Sequence, residues 1–130
     1  MRKSMPVLIV ELPIDTKSEA NSRDHWSVKA KRAAKQRRDA KYLCAINLKG
    51  FKAPHDSTLR VQLVRIAGRK LDDDNLRSAL KAVRDGIADY LKIDDGSDKI
   101  KWEYEQMYLP KTKSIMMTIE VIDKDQGNEY

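Results

Sequence analysis

Cysteine is nearly missing. The 130-residue chain has only Cys44, so no disulfide can form within it and a reducing compartment is the natural setting. Histidine is almost as scarce, with only His25 and His55, which argues against the common zinc sites and against a Ser-His-Asp triad. There is no Gly-rich phosphate loop, no Cys-x-x-Cys pair and no nucleophile-elbow serine. No apolar run approaches the roughly 20 residues of a membrane span. The opening "MRKSMPVLIVELP" is basic and then apolar, but too short for a signal peptide and interrupted by Glu11. The expected setting is the cytoplasm, with no membrane association.

What the chain does have is charge. Hydrophobic residues make up 41% and charged residues 35%, with a net charge of +6, as in one soluble domain that buries a core without covalent help. The charge is unevenly spread. Residues 23–52 carry ten Lys/Arg against Asp24 and Asp39, a balance of +8. Residues 72–98 carry eight Asp against Arg77, Lys81, Arg84 and Lys92, a balance of −4. A basic segment followed by an acidic one suits a protein that attracts a polyanion and holds a cation beside it; a solvated helix face plus a solvated loop is the plainer alternative.

Periodicity supplies the elements, and there is no repeat or linker. "PVLIVEL" (6–12) reads as a strand buried on both faces. Ser22 and Asp24 are candidate caps for a basic helix over about 24–48, apolar later at Tyr42, Leu43 and Ile46. "TLRVQLVRI" (58–66) alternates as a half-buried strand. Leu76, Leu80, Val83, Ile87 and Leu91 step as one face of an amphipathic helix. Two more strands follow, at "KIKWEYEQM" (99–107) and "SIMMTIEVI" (114–122), with Trp102 and Tyr104 expected in the core. The expected fold is α+β: one small domain with a mixed sheet of about four strands and two main helices, in the order β-α-β-α-β-β. It spans residues 1–122, with a polar tail at 123–130.

Between the second strand and second helix lies "GRKLDDDNL" (68–76). One aspartate suffices to cap a helix and meet its dipole. Two carboxylates held about 4 Å apart repel by roughly 4 kcal/mol at an effective dielectric near 20, and a cation would relieve this. With strand-like alternation Asp72 and Asp74 share one side and Asp73 takes the other, an arrangement for a hard cation such as Mg²⁺. A cap with solvated acids explains the triplet equally well. Asp94, Asp95 and Asp98 around Gly96 form a second cluster, which alone reads as an Asp-Gly turn.

The segment "LDDDNLRSALKAVRDGIADYLKIDDGSDKIKWEY" (71–104) resembles the signature region of RusA-like Holliday junction resolvases, common in phages and prophages. Asp72, Asp74 and Asn75 match its Asp-x-Asp-Asn, and Asp94 and Asp95 its following Asp pair. "NSRDHWSVKAKRAAKQR" (21–37) resembles the family's polar loop and basic helix. One departure is Ser78, where the family often carries Lys; either Lys81 or Arg77 would substitute, or junction preference or rate would differ.

The resemblance implies a Mg²⁺-dependent homodimeric endodeoxyribonuclease, also served by Mn²⁺. It would nick opposed strands of four-way DNA in recombination and repair, using an activated water and no side-chain nucleophile. Metal ligands would come from Asp72, Asp74, Asp94 and Asp95, and Lys81 would join Asp72, Asp74 and Asp95 in catalysis. Lys29, Lys31, Arg32, Lys35, Arg37, Arg38, Arg69, Lys70 and Asn75 would contact DNA. The alternatives are a non-catalytic DNA- or RNA-binding protein with structural acids, and a metal nuclease for flaps or other branched DNA. Asp74 and Asp94 lie twenty positions apart, roughly 25–30 Å along a continuous helix. A two-fold dimer with antiparallel helices would bring Asp74 of one chain to Asp94 and Asp95 of the other, unless the helix breaks at Gly86.

Overall fold

The computed structural model describes residues 7–17 and 23–122. Ser22 and the polar tail at 123–130 lie outside these residues. In chain order the elements are β1 (Val7–Leu12), α1 (Trp26–Leu48), β2 (Thr58–Ala67), α2 (Asp73–Leu91), β3 (Ile100–Tyr108) and β4 (Lys113–Ile122). The expected order β-α-β-α-β-β and the α+β class are both found.

The four strands form one sheet in the order β1-β4-β2-β3. Strand β4 runs antiparallel to both neighbours, while β2 and β3 are parallel and joined through α2. In β2 the odd positions Leu59, Val61 and Leu63 are fully buried and join Leu80, Val83 and Ile87 of α2 in the core. The even positions face the other side of the sheet, where Arg60 pairs with Glu103 and Glu120 at 3.2 and 2.6 Å.

Strand β1 departs from expectation. Val10 is buried, but Ile9 is 66% exposed. The continuous apolar run suggests burial on two faces, yet β1 is an edge strand and alternates. Helix α1 departs too: Tyr42 and Ile46 are exposed, and the buried residues are Gln36, Ala40, Cys44 and Leu48, at four-residue steps. Its N-terminal cap is the His25 side chain, which accepts from the Ser27 N–H, whereas Asp24 pairs with Arg32 and Lys17.

The narrow buried stripe of α1 works because α2 offers Gly86. A Cβ at Gly86 would stand 2.2 Å from the Arg37 carbonyl oxygen and 2.9 Å from Ala40 Cβ. The glycine therefore marks close packing of two helices rather than a break, and α2 runs through it unbroken.

Candidate functional site

The aspartate triplet opens α2. Asp72 is the N-cap: its backbone is extended, and its Oδ1 accepts from the Asn75 N–H at 3.0 Å. Asp73 and Asp74 occupy the first helical turn, where the dipole favours them. The alternating geometry expected from the sequence is therefore replaced by helical geometry from Asp73 onward. Neither Asp73 nor Asp74 has an ion pair or side-chain hydrogen bond among the described residues.

Two side chains fix the turn that presents the triplet. Gln106 on β3 donates Nε2 to the Leu71 carbonyl at 2.5 Å, and its Oε1 accepts the Leu71 N–H at 2.9 Å. Arg65, buried on β2, donates to the Arg69 carbonyl at 2.7 Å and to Thr16 at 3.0 Å through both Oγ1 and the carbonyl. Burial lowers the Arg65 pKa. Arg69 and Lys70 are exposed on this turn.

The second acidic cluster folds back along α2. Asp95 Oδ2 lies 3.3 Å from Lys81 Nζ and 3.5 Å from Arg84 Nε, and the Asp95 carbonyl accepts from Arg84 at 2.9 Å and from Trp102 at 3.0 Å. Asp94 is exposed. Lys81 also donates to Asp85 at 2.6 Å. Hydrogen bonding to Lys81, helped by the Lys81 and Arg84 charges, holds Asp95 below the usual carboxylate range. Hydrogen bonds to Asp85 and Asp95 raise Lys81.

These groups border a groove. One part, about 630 Å³, lies between α1 and α2 and is lined by Lys29, Arg77, Lys81, Arg84 and Tyr104. An adjoining part of about 570 Å³ shares Arg77, Arg84 and Tyr104 and reaches Asp73 and Trp102. Arg84 donates to the Tyr104 hydroxyl at 2.7 Å and sits 5.0 Å from the centre of the Trp102 ring. Its buried Nε makes no hydrogen bond among the described residues. Trp102 and Tyr104 thus lie half-buried against the core while shaping the groove.

The expected DNA contacts divide. Lys29 lines the groove. Arg32 pairs with Asp24 and Lys35 with Asp39, at 2.9 and 2.5 Å. Arg37 grips both oxygens of Asp89 at 2.6 and 2.9 Å, and those hydrogen bonds raise the Arg37 pKa and lower that of Asp89. Lys31 and Arg38 are exposed on the helix side turned from α2, and Asn75 is half-buried beside the triplet. Arg84, Asp73, Asp85 and Gln106 were not singled out as site residues from the sequence. Arg84 was the most findable, lying three positions from Lys81 on α2.

Among the described residues no three of Asp, Glu, His and Cys converge as a metal-holding group. Mg²⁺ is commonly held by one or two carboxylates, with waters and substrate phosphate completing its shell. The donor chemistry of Asp72 and Asp74 fits that pattern, whereas Asp95 is engaged by Lys81 and Arg84 within the chain. Compared with known proteins, the chain matches no family model and no curated protein.

Proposed function

We propose that this chain is a Mg²⁺-dependent endodeoxyribonuclease for four-way DNA junctions, of the RusA-like kind, acting as a homodimer. The observation that carries the reading is the carboxylate triplet on a braced turn beside a groove lined by Lys29, Arg77, Lys81 and Arg84. Metal-assisted phosphodiester hydrolysis uses both features: cations to hold the phosphate and hard oxygens to hold a divalent ion. Bound by Asp72 and Asp74, such an ion would supply Lewis acidity and lower the pKa of water.

The chain's own residues take defined roles. Arg84 lines the groove with a guanidinium that Asp95 only partly balances, and Lys29 and Arg77 extend the positive wall. Lys81, its pKa raised, keeps its charge at neutral pH and serves as a phosphate ligand rather than as a base. The capping role of Asp72 and the pairing of Asp95 favour the competing reading, a nucleic-acid-binding protein with structural acids. Purified protein incubated with four-way junction, flap and duplex, with Mg²⁺ or Mn²⁺ and with chelator, separates them. Paired, metal-dependent nicks in the junction alone are expected. Tight binding without any nicking would replace the nuclease with the binding protein, and preference for the flap would change the substrate.

A further inference from the structure

A second cleft opens at the opposite end of α2, about 540 Å³ in volume, within the size range of ligand sites. It is formed by the loop after α1, the last turn of α2 and Lys99. Phe51, Tyr90, Leu91 and Ile93 give it an apolar wall, while Lys52, Lys92 and Lys99 stand around it. None of these lysines has an ion pair among the described residues. We propose that this cleft binds a nucleotide unit, the base against Phe51 and Tyr90 and the phosphate among the three lysines.

The charge argument must overcome a local handicap. The carboxyl ends of α1 and α2 both approach this cleft, and each carries about half a negative charge. Asp56 adds another, so three lysines leave a positive margin. The dipoles account for cations at the two helix caps, Lys49 and Lys92, but not for Lys52 and Lys99 on loops. An aromatic wall with adjoining lysines is the chemistry by which unpaired nucleotides are held.

The inference does not depend on cleavage: a chain that binds here and cuts nothing keeps this site and loses the nuclease reading. Amide NMR shifts on adding (dT)10 or dTMP provide the test. Perturbations are expected at Phe51, Tyr90, Lys92 and Ile93. A response to the oligonucleotide alone identifies an unpaired strand as the source, and a response to dTMP identifies free nucleotide; either supports the site. The surface variant Lys52→Ala/Lys92→Gly/Lys99→Ala is expected to bind the responding probe about tenfold more weakly at low salt. For (dT)10 it should also lose roughly 2 from the slope of log affinity against log salt. Absence of shifts at these residues with both probes, or an unchanged affinity in the variant, overturns the proposal.

Discussion

Gly86→Ala sets two effects of opposite sign against each other. Helix propensity alone favours alanine by about 1 kcal/mol in a helix interior. Packing opposes it, because the new Cβ would lie 2.2 Å from the Arg37 carbonyl oxygen, 3.0 Å from its carbon and 2.9 Å from Ala40 Cβ. Carbon contacts settle near 3.5–4.0 Å, so α1 must retreat from α2 by roughly 1 Å. Over-packing of this kind costs about 1–3 kcal/mol, and here the obstacle is backbone, which cannot rotate away. The shift also strains the Arg37 bonds to Asp89, which join the same helices. With the cost at the upper end of that range, about 3 kcal/mol, and the propensity gain of about 1 kcal/mol subtracted, a net loss of about 2 kcal/mol is expected, near 6–10 °C in melting temperature for a domain of this size. Urea and thermal unfolding followed by circular dichroism measure it. Ala34→Gly, on the exposed side of α1, serves as the propensity control and should cost about 1 kcal/mol. A Gly86→Ala protein as stable as the parent would refute the close helix seam.

Gln106→Leu removes both bonds to the Leu71 backbone and should cost about 1–3 kcal/mol while reducing nicking more than junction affinity; unchanged nicking would mean the turn needs no brace. Replacing Lys29 and Arg77 with Ala should flatten the salt dependence of DNA affinity more than replacing Lys35 and Arg37, whose charges are paired with Asp39 and Asp89. An equal effect from the two pairs would move the interface from the groove to the outer side of α1. Asp89 and Asp95 titrate below their unfolded values, so the stability they contribute is complete above about pH 5 and lost as pH falls through their lowered values, below about pH 4. Urea midpoints should therefore hold from pH 7 to 5 and then drop, less steeply in Arg37→Ala, and a flat profile to pH 3 would contradict the pairing. Mixing inactive Asp74→Asn with inactive Asp95→Asn under subunit exchange should restore nicking if the metal site is shared between chains. Verified heterodimers as inactive as their parents would reject sharing.

The architecture was legible because its signals were local. Period two in β2 and the 3–4 residue steps of α2 each follow from one apolar face, and the structure uses both faces as read. Where reading failed, the missing information was tertiary. The run "VLIVEL" is equally apolar at an edge or in the middle of a sheet, and only the order β1-β4-β2-β3 makes it an edge strand. Tyr42 and Ile46 are apolar by type, yet α1 buries Gln36, Ala40 and Cys44 and meets α2 at Arg37 and Ala40, small or polar residues that carry little hydrophobic signal. Gly86 was ambiguous for the same reason: a glycine that breaks a helix and one that admits a neighbour look alike in sequence. What separates them is the position of Arg37, 49 residues away.

The candidate site shows the same division, with a consequence for how two chains would cooperate. Spacing along a helix put Asp74 and the Asp94/Asp95 pair some 25–30 Å apart, but spacing says nothing about a loop that turns back. The loop does turn back, and Asp95 meets Lys81 and Arg84 rather than standing beyond the helix end. Lys81 is seven residues from Asp74, so the remaining separation along the axis is near 10 Å. That is still too far for one ion to bridge within a chain, so the geometric motive for a shared site remains. Its demand on the dimer is smaller, because two antiparallel α2 helices need to overlap by only about two turns. In such a pairing Asp95 would have to exchange Lys81 for the metal, leaving Lys81 with Asp85 alone and turned toward the phosphate. The ion pair that looks like a purely structural contact in one chain is then the group a second chain and a substrate would displace.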